Sequence, residues 1–205
     1  MRALHLALAI TLCSATAAAA ADLTVEVKSA DGRPVRDAVV MVRMTSAAAA
    51  APIRFTWPLV MSQQDVAFNP HVLIVPVGSQ VSFPNKDMVR HHVYSFSPTR
   101  KFELKLYGRD ESRGVRFDKA GIVALGCNIH DQMIGFIYVT DTPYVAKTGA
   151  SGEAVIRGVP GGAASLVVWH PNLKARKPVA QPLTVAGAVV RQAITIDLRP
   201  ATRAH

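Results

Sequence analysis

Cys127, His130 and Met133 set a thiol, an imidazole and a thioether into one short stretch, Leu125-Gly126-Cys127-Asn128-Ile129-His130-Asp131-Gln132-Met133-Ile134-Gly135. Two residues separate the Cys from the His, and two more separate the His from the Met. Any one of them has an ordinary explanation, since a lone Cys is usually a small buried hydrophobe and a Met at a strand start is usually core. Together they form a soft, copper-preferring donor set. Segments prone to extended structure flank the stretch, Gly121 to Leu125 before it and Phe136 to Val139 after it. A loop between two such strands can turn all three side chains toward one point.

A trigonal site of two His and one Cys with a weak axial Met is an electron-transfer copper geometry, and the loop lacks only one His of it. The segment Val81 to Tyr94 supplies the candidate, because His91 and His92 stand together at the head of a strand. Side chains alternate between faces along a strand. If Val93 is buried, His91 points inward with it and His92 points away. The expected metal ligands are therefore His91, Cys127, His130 and Met133, with copper as the cofactor.

These residues resemble those of the cupredoxins, or type 1 blue copper proteins. Phe83-Pro84-Asn85 followed by His91 looks like their first-ligand region, and Cys127 to Met133 has the short ligand loop of the amicyanin type. Within the family the likeness is to bacterial proteins labelled for methylamine utilization. It is carried by Asn85-Lys86-Asp87, His91-His92-Val93-Tyr94-Ser95, Gly126 to Asp131 and Val168-Trp169-His170-Pro171, and is strong from Phe68 to Thr142. The resemblance implies a non-enzymatic carrier of single electrons, with Asn85 and the backbone near His92 bracing the ligands and His130 as the exit for electrons. Ile129, Ile134 and Phe136 are available for an apolar patch around that exit, although each reads first as a core residue. One departure stands out: familiar cupredoxins carry Asn directly after the first ligand His, where this chain has His92. Two readings of His92 stay open, a hydrogen bond replacing that of the Asn, or a solvated strand residue.

The elements that must hold these residues are strands. Leu23 to Lys28 alternates apolar and polar, Asp31-Gly32-Arg33-Pro34 signals a turn, and Val35 to Met44 continues as the second arm of a hairpin. Short strands follow at Val72 to Val75, Gln80 to Phe83, His91 to Phe96, Phe102 to Leu106, Gly114 to Phe117, Gly121 to Leu125 and Phe136 to Val139. Beyond Thr142-Pro143, glycines punctuate strands at Glu153 to Ile156, Ala164 to Trp169 and Gln192 to Leu198. No long helix is signalled, so the expected class is all-β, of sandwich type.

The flanks resemble the two ends of a carboxypeptidase regulatory-like, transthyretin-type sandwich, through Gly32, Pro34, Val35, Asp37 and Ala38 at one end and Gly152, Gly158, Val159, Pro160 and Gly162 at the other. The implied organisation is a signal peptide (1–21), a split flanking sandwich (22–52 and 143–199) and a cupredoxin domain (53–142). Ala47 to Pro52 reads as a linker. Arg2, the apolar run Ala3 to Leu12 and the alanines ending at Ala21 have the layout of a secretory leader. The apolar core is too short for a span of about 20 residues, which points to an exported periplasmic protein, monomeric or weakly associating. Removing the leader takes Cys13 with it and leaves Cys127 as a lone thiol that metal ligation would protect.

The formal charge of +9 favours acidic docking surfaces. The basic set Arg100, Lys101, Lys105, Arg109, Arg113, Arg116 and Lys119 is interleaved with acids and reads as a solvated face, and no nucleic-acid motif is present. A redox protein is the implied partner, with a periplasmic dehydrogenase as donor and a c-type cytochrome as acceptor. The competing readings are a copper-handling protein, with a second site drawn from His71, His92 or His170, and a partner-binding sandwich without redox function. Gly126 and Asn128 beside Cys127 disfavour a multicopper enzyme, which needs additional His motifs there.

Overall fold

The computed structural model describes residues 20–45, 53–175 and 177–200. The expected linker at Ala47 to Pro52 lies outside them, as does the expected leader except for Ala20 and Ala21. The described chain is all-β and forms no helix. Its strands are β1 (Ala21–Ser29), β2 (Val39–Met44), β3 (Ser62–Gln64), β4 (Ala67–Asn69), β5 (Val72–Pro76), β6 (Ser79–Pro84), β7 (His91–Ser97), β8 (Arg100–Tyr107), β9 (Ser112–Phe117), β10 (Gly121–Gly126), β11 (Ile134–Thr140), β12 (Val145–Lys147), β13 (Glu153–Val159), β14 (Gly162–Trp169), β15 (Val179–Val185) and β16 (Val189–Ile196).

Two sandwiches result. The first and last strands build one, from sheets ordered β13-β1-β16 and β12-β2-β14-β15. Leu23, Val25 and Val27 of β1 face Val40, Val42, Leu166 and Val168 of the other sheet in a single apolar core. The expected hairpin of β1 and β2 does not form. The turn after Ser29 closes, with the Val35 amide donating to Val27 O at 2.9 Å, but a left-handed residue at Asp37 (φ 61°) redirects the chain. β2 then pairs with β12 and β14 in the opposite sheet.

The strands between β2 and β12 build the second sandwich. One sheet runs β5-β11-β10-β7-β8. It faces the pairs β6-β9 and β3-β4, which parallel bridges at Val60–Ser82 and Gln63–Asn85 draw together. The inward residues Leu73, Val75, Val93, Val123, Leu125, Ile137 and Val139 meet Met61, Phe68, Val81, Phe83, Val115 and Phe117. β5 and β11 are buried on both faces, since Val72, Ile74 and Tyr138 belong to the core of the flanking sandwich. That explains their near-continuous apolar sequence.

Candidate metal centre

Two strand ends meet at the expected ligands. β10 and β11 form an antiparallel ladder that ends at the pair Gly126–Ile134, so residues 127–133 form the loop between them. A turn tightens this loop, with the Met133 amide donating to His130 O at 2.9 Å. β7 lies antiparallel beside β10 with Tyr94 opposite Gly126. Three residues back from Tyr94 therefore correspond to three residues beyond Gly126. The register carries His91 to the loop that holds Cys127.

The convergence is close. Cys127 Sγ is 4.0 Å from His91 Nδ1 and 3.8 Å from His130 Nδ1. The two imidazole rings are 5.0 Å apart between centroids, at 61°, and the ligand atoms of all three residues lie within 4.8 Å of one another. Among the described residues this is the one cluster of three or more His, Cys, Asp or Glu side chains so arranged. Bonds of about 2.0 to 2.3 Å to a shared ion put trigonal sulfur and nitrogen ligands about 3.5 to 4 Å apart, which the observed spacings match. His91 and Cys127 are buried and His130 is partly exposed. Met133 is also buried, in the same apolar cluster as Cys127. The donor set thus fits a soft metal ion, with His91, Cys127 and Met133 buried and His130 the most exposed of the four.

His91 is oriented from behind. Its Nε2 donates to Asp87 Oδ2 at 2.8 Å, which fixes the tautomer and leaves the Nδ1 lone pair facing Cys127. Asp87 is itself held. Its carboxylate accepts the Asp65 amide at 2.7 Å and the Val66 amide at 3.0 Å, and its own amide donates to Asn85 Oδ1 at 2.9 Å. Asp65 and Val66 form the turn between β3 and β4, both with φ near 55° (56° and 55°), a conformation that costs a β-branched residue such as Val. Burial works against the charge on Asp87, but the His91 hydrogen bond and the Val66 and Asp65 amides outweigh it. Its carboxyl stays below the usual carboxylate range.

Asn85, expected as a brace, is one. Buried, it donates to Val89 O at 2.8 Å and Tyr107 O at 3.1 Å and so shapes the loop leading to His91. Tyr107, opposite His91 in the β7–β8 ladder, is fully buried, and burial pushes its phenol up to about 12. It donates to Phe83 O at 2.8 Å and is met by the Gln63 amide.

Of the two readings of His92, the solvated one does not hold, since the ring is buried and hydrogen-bonded. His92 does turn to the face opposite His91, as alternation requires, but is only 5% exposed. Its Nε2 bonds Glu103 Oε1 at 2.8 Å and its ring lies 5.8 Å from that of Tyr94. Lys105 and Leu106 oppose it in a bulge, where the pairing steps from His91–Tyr107 to Val93–Leu104. Ile129 and Ile134, read first as core, are half-exposed beside the loop, whereas Phe136 packs edge-on against Trp169 at 5.6 Å. His71 stands edge-on to Phe136, and His170 is bonded to the Arg36 carbonyl and the Asn172 amide. Among the described residues, the three histidines considered for a second copper site belong to no cluster of three or more ligand side chains.

Comparisons with known proteins place these features beside copper proteins at low similarity. No protein-family model matches the chain, and no curated protein matches it. Among solved structures it is similar to a copper-containing nitrite reductase from Thermus scotoductus SA-01, with 27% identity and a TM-score of 0.39 over 46% of this chain. The match spans only 25% of the reductase. It is also similar to a reduced amicyanin variant and to another in its Cu(I) form, each 19% identical with a TM-score of 0.38 over 49% of this chain and 99% of amicyanin.

Proposed function

We propose that this chain is a type 1 copper protein of the cupredoxin kind that carries single electrons, with one copper ion held by His91, Cys127, His130 and Met133. The observation that carries the reading is the meeting of one thiol and two imidazoles within 4.8 Å, at the end of a buried core. Bound copper would supply a reversible one-electron couple. The protein's part is to hold the donors so that little has to move when the charge changes. Cys127 would contribute a thiolate to the ion, and Met133 a weakly held thioether sulfur that tunes the potential. Asp87 keeps the proton of His91 on Nε2 and presents Nδ1, as carboxylate–histidine pairs do at metal sites. His130 is the ligand nearest solvent.

Four protein ligands leave no position for a substrate, so the reading is of a carrier and not an enzyme. The leader-like N-terminus supports export to the periplasm. The basic charge supports acidic redox partners, a periplasmic dehydrogenase and a c-type cytochrome among them, as the likeness to the methylamine utilization group suggests. The flanking sandwich, of transthyretin type in this reading, serves as a clamp on the copper unit.

Voltammetry of the copper-loaded protein tests the proposal. A reversible one-electron wave that Cys127→Ser abolishes is expected. A wave that survives this substitution, or none in the wild type, would refute it.

A further inference from the structure

The ligand loop stands on two glycines. The last rungs of the β10–β11 ladder pair Leu125 with Gly135 and Gly126 with Ile134, so each strand contributes one glycine at the base of residues 127–133. Neither glycine has a positive φ, and backbone conformation therefore does not call for glycine at either place. A glycine inside a strand gives up side-chain packing and marks a close approach by another group. Here that group is an aromatic ring in both cases. A Cβ at position 126 would come within 2.7 Å of Tyr94 Cζ and Oη, and one at position 135 within 2.7 Å of Phe68 Cβ and 3.0 Å of its Cγ. Non-bonded carbons rest about 3.5 to 4.0 Å apart.

The two rings press from opposite faces. Leu125 is buried in the inner core, so its partner Gly135 faces inward to Phe68, while Gly126, one residue on, faces outward to Tyr94. Phe68 is buried in that core, and Tyr94 stands in a row of rings, 5.8 Å from His92 and 5.2 Å from Phe96. Both rings sit on elements that also fix His91. Tyr94 shares β7 with it. Phe68 lies in β4, two residues after the turn whose Asp65 and Val66 amides hold the carboxylate that His91 bonds.

We propose that Tyr94 and Phe68 are positioning residues, whose rings clamp the base of the ligand loop between β7 and β4 and so set Cys127 against His91. What the clamp positions rests on the copper reading. The clamp itself is a property of the chain without metal, and it adds neither a ligand nor a proton to the site.

Two measurements on the full chain separate positioning from a general gain in stability. Amide hydrogen exchange of the metal-free protein follows residues 127–134, and electron paramagnetic resonance of the Cu(II)-loaded protein follows the copper hyperfine splitting. Tyr94→Leu is expected to speed exchange in the loop about tenfold or more while the flanking sandwich stays protected, and to widen the splitting. Tyr94→Phe keeps the ring and is expected to restore both. Phe68→Leu is expected to loosen the same residues from the inner face. Gly126→Ala is expected to disturb the loop when Tyr94 is present and to add little in the Tyr94→Leu chain, the coupling that residues in contact show. Unchanged loop exchange and splitting in Tyr94→Leu, or exchange that rises equally in the flanking sandwich, would overturn the proposal. Absence of a blue band in the wild type would remove the copper reading instead, and exchange in the metal-free chain would still decide the clamp.

Discussion

Asp87 does more for the site than its place in a short loop suggests. It joins the His91 imidazole to two backbone amides of the β3–β4 turn, so His91 is positioned by both faces of the sandwich. Losing such a partner typically costs a metal site about 10- to 100-fold in affinity. Asp87→Ala should weaken copper binding by about that factor, measured by competition with a chelator, while the far-ultraviolet circular dichroism stays that of a β protein. Met133→Gln should retain copper but lower the reduction potential, since the axial ligand tunes it; an unchanged potential would remove Met133 from that role. The approach of Cys127 and His130 was legible because the two donors stand at short spacing in one loop. His91 was legible through alternation on a strand. Asp87 was not, because its contact depends on the path of residues 85–90, which Asn85 sets through bonds to Val89 and Tyr107.

At the scale of elements, period-two alternation located the strands that hold the site, and it also gave His92 its face correctly. It could not show that Glu103 and Tyr94 cover that face, since cover comes from neighbouring strands. Pairing was less legible still. β1 and β2 look like a hairpin in sequence, yet each finds partners far along the chain. β15, which contains Pro182, gave no strand signal; as an edge strand it tolerates a residue without an amide donor. The end of β14 carries a pH-sensitive contact. His170 Nε2 donates to Arg36 O at 3.1 Å while Nδ1 accepts the Asn172 amide at 3.0 Å, an arrangement only the neutral ring can make. Burial lowers its pKa from 6.5; the Arg36 carbonyl and Asp37 oppose this, and His71 adds to it. A depressed native value means the contribution to stability is present above the unfolded value and is lost as pH falls through the native one. Thermal melts of the metal-free protein should therefore show the melting temperature falling as pH is lowered below about 6.5, the unperturbed His value, and His170→Gln should flatten that slope.

Over the whole molecule, the inner sandwich packs on the flanking one, and Trp169 bridges them through the rings of Phe136 and Tyr138. Its replacement by Ala removes a large buried side chain, for which about 3 to 5 kcal/mol is typical. Denaturant unfolding of Trp169→Ala should show a loss of that order, with copper still bound under native conditions. The separation of the chain into outer strands β1, β2 and β12–β16 and inner strands β3–β11 was signalled by the shift to glycine-punctuated strands after Pro143. The sharing of β5 and β11 between two cores was not, because an apolar strand does not reveal which body covers its second face.

The most direct test of the central claim is a visible absorption and electron paramagnetic resonance titration of the purified protein with Cu(II). An intense blue band with a narrow copper hyperfine splitting, saturating at one equivalent, is the predicted result. A pale, weakly absorbing complex, or binding that continues past one equivalent, would contradict a single site built from His91, Cys127, His130 and Met133.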